Sequence, residues 1–275
     1  NGPWANNPGG TDEENKDFLG CRRNYHIMMT DGRWNSISSG NNENGTARTL
    51  GDGKKIYDIA SNQTQVHRDS YDQTLADWAF KSWAENLQPS GLKDADKLKT
   101  TKAYDEAPEK EKFNTVELEK FWNPKYNPAT WPHMVTYTIG FSNSAVTWPG
   151  ASSILKPTAT VPFGYDGSFP DLVTGALKWP KMDDENVRSL DLWHAAINGR
   201  GRFYAVTKGE DLVTAFDEIV DQALKESAPL PAQITGGGSP SGYSVAQSNV
   251  GTFVSVYSPK QAWKGWVQAS PVTDP

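Results

Sequence analysis

Asn24-Tyr25-His26-Ile27-Met28-Met29-Thr30-Asp31-Gly32 decides the fold. The run from Asn24 to Thr30 predicts a buried strand, and the Asp-Gly that follows leaves a carboxylate at the C-terminal edge of that strand. On the amino side, residues 1–20 are polar and rich in Gly, Pro and Asn. On the carboxyl side, Ser36-Ile37-Ser38-Ser39-Gly40-Asn41-Asn42 and Gly51-Asp52-Gly53 are turn chemistry with little apolar content, and predict a long loop or insertion. A helix comes next: Leu75, Ala79, Trp83 and Leu87 recur at intervals of four with Trp78 beside them, and Pro89 and Gly91 stop it.

Residues 92–131 are first charged and then rich in Asn, Pro and Trp, which predicts a second insertion whose Lys/Glu run is a solvated face. Met134-Val135-Thr136-Tyr137-Thr138-Ile139-Gly140-Phe141 is dense in β-branched and aromatic residues and reads as a strand. Another elaborated loop spans 142–183. A short helix around Leu190, Trp193 and Ile197 leads to a third strand, Arg202-Phe203-Tyr204-Ala205-Val206. Thr207 and Glu210 make a capping box for a last helix, whose Leu212, Ala215, Phe216, Ile219, Val220, Ala223 and Leu224 form one apolar face over a sheet.

Strand and helix alternating three times predict an α/β fold: an open, doubly wound, Rossmann-like sheet with long loop insertions and helices on both faces. Ligands of such sheets sit outside the carboxyl ends of the strands, where Asp31 falls. Residues 1–228 form this domain. Pro229, Pro231 and Gly236-Gly237-Gly238-Ser239-Pro240 predict a linker over 229–242. Alternation in Phe253-Val254-Ser255-Val256-Tyr257 and Trp263-Lys264-Gly265-Trp266-Val267 then predicts a hairpin opening an all-β unit over 243–275, a β-rich C-terminal tail.

A net charge of −6 argues against nucleic-acid binding, because phosphate neutralisation needs concentrated Lys and Arg. No window approaches the length of apolar sequence that spans a membrane, and the first thirty residues lack the order of a signal peptide. Asn1 is a poor translation start, so the chain reads as a piece of a longer product. The single cysteine, Cys21, excludes thiolate zinc and paired-thiol redox chemistry. Two readings of it stand: a buried free thiol, or a bond to a cysteine upstream of Asn1.

The segment from Cys21 to Asn35, with Thr30-Asp31-Gly32 at its centre, is similar to the strand-plus-Thr-Asp-Gly segment of von Willebrand factor A-type (VWA) domains. Thr74-Leu75-Ala76-Asp77, His133-Met134-Val135-Thr136-Tyr137-Thr138-Ile139-Gly140 and Asp191-Leu192-Trp193-His194-Ala195-Ala196-Ile197-Asn198-Gly199-Arg200-Gly201 follow in family order. Together they resemble the later half of the VWA domain of the PilY/PilC family, tip-associated adhesins and assembly factors of type IV pili. The resemblance implies a VWA fold followed by a β-propeller. It implies a non-enzymatic pilus assembly and adhesion module, exported to the pilus tip, outer surface or periplasm of a Gram-negative bacterium. Its implied partners are minor pilins or other pilus proteins, and a host surface or extracellular matrix protein.

A VWA adhesion site holds Mg²⁺, Ca²⁺ or another hard cation through oxygens from three loops, and only the Thr-Asp-Gly aspartate, Asp31, is identifiable in this chain. The remaining ligands are expected upstream of Asn1; without them the domain is a metal-free, degenerate VWA scaffold with a structural role in pilus biogenesis. Asp31 has a second reading as a turn-forming or strand-capping residue. Asp166-Gly167-Ser168-Phe169-Pro170 mimics half of a metal-binding loop but reads as a turn, and Asp183-Asp184-Glu185 reads as a solvated helix entry. His194 beside Asp191 and Arg200 suggests nucleophilic catalysis. The favoured alternative is structural: Asp191 and His194, three apart on one helix, pair locally, and Asn198-Gly199 ends that helix. Trp122, Trp131, Trp148 and Trp179 are expected to pack insertions onto the sheet.

Overall fold

The computed structural model describes residues 23–31, 39–88, 103, 107–113, 115–141, 169–181, 188, 190–227, 243–248, 251–258 and 264–271, with backbone alone at 113, 169–170 and beyond 224. Cys21, Trp148, Asp166 to Ser168, Asp183 to Glu185 and the whole linker over 229–242 lie outside them. In chain order the elements are β1 (Asn24–Thr30), β2 (Arg48–Thr49), β3 (Ile56–Tyr57), a 3-10 helix (Asn62–His67), α1 (Leu75–Ala84), β4 (Lys110–Phe113), β5 (Val116–Glu119), β6 (Met134–Phe141), α2 (Phe169–Thr174), α3 (Leu190–Asn198), β7 (Arg200–Val206), α4 (Gly209–Ser227), β8 (Tyr243–Ser248), β9 (Gly251–Ser258) and β10 (Lys264–Pro271). Chain contacts group into two compact units, Asn1–Glu226 and Ser227–Pro275.

The first unit is built on a parallel sheet of order β1-β6-β7. β1 runs beside β6 from Asn24↔Met134 to Thr30↔Gly140, and β7 lies on the far side of β6, with a register shift between Thr136 and Thr138. Two glycines permit that last pairing: a Cβ on Gly201 would lie 2.1 Å from the Thr136 carbonyl oxygen, and one on Gly199 would lie 2.6 Å from the Thr136 side chain. Because the strands are parallel, their carboxyl ends share one edge, which puts Asp31 abreast of Phe141 and Val206.

Alternation along the strands supplies two faces. Val135, Tyr137, Ile139, Tyr204 and Val206 pack against Ala215 and Ile219 of α4. On the opposite face Phe203 and Ala205 meet Leu192, Trp193, Ala196 and Ile197 around α3, and Thr138 Oγ1 donates to the Leu192 carbonyl at 2.7 Å. Helices therefore cover both faces, as the element order predicted. A third cluster, Leu50, Tyr57, Phe80, Trp83, Trp122 and Trp131, joins α1 to both insertions. Full burial of each large aromatic contributes about 2–3 kcal/mol, which offsets the entropy of ordering these loops.

Several expectations need correction. β1 is not a buried strand: it is the outer strand of the described three, and Ile27 and Met29 are 37% and 49% exposed. The segment after Asp31 is not simply loop, since β2, β3 and the 3-10 helix carry the buried Leu50, Tyr57 and Val66. α1 ends at Ala84, short of Leu87, and its buried face is Ala76, Ala79, Phe80, Trp83 and Ala84, while Trp78 is exposed. Three- and four-residue spacings alternate on that face because the helix has 3.6 residues per turn. α2 lies inside the stretch read as loop, and β7 begins two residues early. At the start of α4 it is Asp211, not Glu210, that accepts from Thr207 N and Oγ1, at 3.2 and 3.1 Å. Val220 and Leu224 are 51% and 58% exposed, so the sheet covers less of α4 than its apolar stripe offers.

Trp122, Trp131 and Trp179 are buried, the first two against α1 and the third against α3. In the second unit β8, β9 and β10 form an antiparallel meander of order β10-β9-β8.

Candidate functional site

Two places hold the residues that looked chemical in the sequence. The first is the carboxyl edge of the parallel sheet. Asp31 stands there, exposed, directly after β1, and Thr30 Oγ1 donates to its Oδ1 at 3.3 Å. Among the described residues no group of three or more His, Cys, Asp or Glu side chains converges as a metal site would require. One carboxylate does not supply the several oxygens a hard divalent cation takes, so the described residues alone do not fit Mg²⁺ or Ca²⁺.

The second place is a buried polar hub where α1, α3 and the 3-10 helix meet. Asp191 caps a different helix from its own: its carboxylate accepts from Leu75 N at 2.6 Å and Ala76 N at 3.0 Å, the first two amides of α1. Thr74 Oγ1 accepts from Asp77 N at 3.1 Å, and Asp77 accepts from Thr74 N at 3.0 Å. The first three amides of the helix are thereby satisfied. Burial pushes the Asp191 carboxyl up to about 7, with the two amides pulling the other way.

His194 does not pair with Asp191, and the expected local pairing is incorrect. Its Nε2 donates to the His67 carbonyl at 2.9 Å, while Nδ1 faces Asp69 Oδ2 at 3.3 Å and the ring stacks on Trp179 with centroids 4.1 Å apart. Burial pulls His194 down to about 3 and pushes the Asp69 carboxyl up. His67 Nε2 donates to the Trp122 carbonyl at 3.0 Å, and Nδ1 lies 2.9 Å from Asn198 Oδ1. Burial and then the neighbouring Arg200 pull His67 well below its ordinary value.

Arg200 adopts a φ of 60° and lays its guanidinium 3.9 Å over the Trp83 ring. It donates to the Ile197 and Phe121 carbonyls at 3.1 and 2.8 Å. Burial lowers it to about 9, still a cation at neutral pH, held by carbonyl oxygens and a π face.

The polar side chains of the hub thus cap a helix start or bond backbone carbonyls of neighbouring segments. Asp191 is 1% exposed and His194 is fully buried. The expected end of α3 at Asn198-Gly199 is present, with Gly199 N donating to the Ala195 carbonyl at 2.8 Å. Sequence reasoning missed His67 and Asp69. They lie in a stretch that reads as turns, and only the tertiary fold brings His67 to Asn198, 131 positions away.

The chain is 36% identical over 235 residues to the type IV pilus biogenesis factor PilY1 of Pseudomonas aeruginosa strain PAO1, a match covering 83% of this chain and 18% of the relative. PilY1 of strain PAK is 35% identical over the same span, and PilY1 of strain UCBPP-PA14 is 34% identical over 221 residues, 76% of this chain and 16% of the relative. The chain therefore spans less than a fifth of the length of these relatives. No protein-family model matches it, and no solved structure does. With about a third of its residues shared over most of its length, the chain belongs to the PilY1 family of type IV pilus biogenesis factors.

Proposed function

We propose that this chain is a non-enzymatic, VWA-like adhesion and assembly module of the type IV pilus. After export it works at the pilus tip, the outer surface or in the periplasm of a Gram-negative bacterium. Loops at the carboxyl edge of the parallel sheet recognise a minor pilin or other pilus protein, or a host surface or matrix protein. The observation that carries this reading is the position of Asp31: an exposed carboxylate at the edge where open parallel sheets bind ligands, in a chain related to PilY1. Asp31 is proposed as one ligand of a Mg²⁺ or Ca²⁺ ion whose other ligands lie outside the described residues.

The test is thermal unfolding of the protein in EDTA and in millimolar MgCl2 or CaCl2, for wild type and Asp31→Ala. A cation bound to the native state raises the wild-type Tm by several degrees and leaves the variant unmoved. Equal Tm values throughout would rule out the metal and leave a metal-free scaffold with a structural role in pilus biogenesis. What favours that second reading is the hub itself, in which Asp191, His194 and Arg200 all serve packing.

A further inference from the structure

Outside the buried hub, the chain around the end of the 3-10 helix and the turn after α2 enclose a surface cavity of about 260 Å³. Gln65, Arg68, Ser70 and Tyr71 line it from the first segment, Leu177 and Lys178 from the second, and Asp69 and Trp179 complete it. Its walls are fixed. Trp179 Nε1 donates to the Val66 carbonyl at 2.9 Å, and Leu177 N donates to the Asp171 carbonyl at 3.1 Å. Gly175, at a φ of 77°, lets the turn close over Gln65, whose side chain lies 3.1 Å from where a Cβ would stand.

The cavity lining carries two basic side chains, Arg68 and Lys178, in a chain whose net charge is −6. Among the described lining residues Asp69 is the acidic one, and it is spent inward: Oδ1 accepts from Tyr71 N at 2.7 Å, Oδ2 from Asn44 Nδ2 at 3.0 Å, and its side chain is 1% exposed. Arg68 commits only Nε, to Gln65 Oε1 at 3.2 Å. Among the described residues its terminal nitrogens, Lys178 Nζ, Ser70 Oγ and Tyr71 Oη have no partner.

We propose that this cavity binds a carboxylate-bearing sugar of the hexuronic acid class. Its carboxylate sits between Arg68 and Lys178, its ring hydroxyls reach Ser70, Tyr71 and the Gln65 amide, and Leu177, 41% exposed, covers a C–H face. Two cations already suffice for a lone carboxylate. The three neutral hydrogen-bonding side chains beside them favour a polyhydroxylated ligand over an acidic protein side chain, and the cavity is roughly the size of one pyranose. This site goes beyond the sheet-edge reading and does not depend on it, since Asp31 takes no part.

Calorimetric titration of the chain in EDTA, with sodium glucuronate, glucose and N-acetylglutamate α-amide, tests the assignment apart from any cation site. Saturable glucuronate binding is expected in the millimolar range, with glucose about tenfold weaker or worse. Arg68→Gln and Lys178→Gln are each expected to weaken glucuronate about tenfold while keeping the wild-type Tm and near-ultraviolet circular dichroism. Absence of glucuronate binding by the folded wild type overturns the proposal, as does binding that neither substitution alters. Equal affinity for the glutamate amide also overturns it, because an acidic protein side chain would then be the ligand.

Discussion

His133 donates through Nδ1 to the Trp131 carbonyl at 2.7 Å, and its Nε2 lies 2.9 Å from Asn127 Nδ2. Asn127 cannot turn its oxygen to the ring, because that oxygen accepts from Trp83 Nε1 at 3.1 Å. The imidazole is held neutral in one tautomer, and burial pulls it down to about 3. A base depressed in the folded state contributes stability above its unfolded value of about 6.5 and loses it as the pH falls toward 3. Between pH 6.5 and 5 that loss is about 2 kcal/mol. His133→Gln is therefore destabilised at pH 7, yet its urea midpoint declines less than wild type on acidification, so the two curves converge. Glycine positions divide just as sharply. Gly201→Ala drives a Cβ into the Thr136 carbonyl and is expected to cost at least about 3 kcal/mol, whereas Gly53→Ala, at a φ of 70° with open space around it, costs about 1 kcal/mol. Urea unfolding of both variants at pH 7 checks that order.

At the scale of elements, α1 depends on α3 for its start. Asp191→Ala strips the cap from Leu75 N and Ala76 N and is expected to destabilise by about 2–4 kcal/mol, while Thr74→Ala, which frees Asp77 N and removes the hydroxyl donor to Asp77 Oδ2, costs about 1 kcal/mol. Both groups serve one helix terminus, so the double variant should depart from additivity by at least about 0.5 kcal/mol, measurable in a double-mutant cycle. The Thr-x-x-Asp pattern at Thr74 is legible in the sequence as a helix start, but the cap from Asp191 is not, because its donors lie 116 and 115 positions away. The last helix tells the converse story. Its apolar stripe was legible, while its covered width was set by how much of α4 the sheet reaches, leaving Val213, Val220 and Leu224 exposed.

Over the whole molecule, 33 acidic residues against 27 basic ones leave an excess negative charge that opposes the phosphate backbone. No association with a labelled DNA duplex is expected at physiological salt. A micromolar Kd by fluorescence anisotropy would overturn the reading from net charge, and the cationic cavity at Arg68 and Lys178 would be the first place to look. The sequence by itself determined the alternation of strand and helix, the three parallel strands, the Asp-Gly exit of β1 and the kinship to PilY1, because hydrophobic period and motif order are local properties of the chain. Only the tertiary structure decided that Asp191 caps α1 and His194 bonds the His67 carbonyl, that His67 and Arg200 share a buried hub, and that Arg68 and Lys178 face one cavity. Those facts rest on contacts between residues far apart in sequence, and burial is a property of the folded whole that no window of sequence contains.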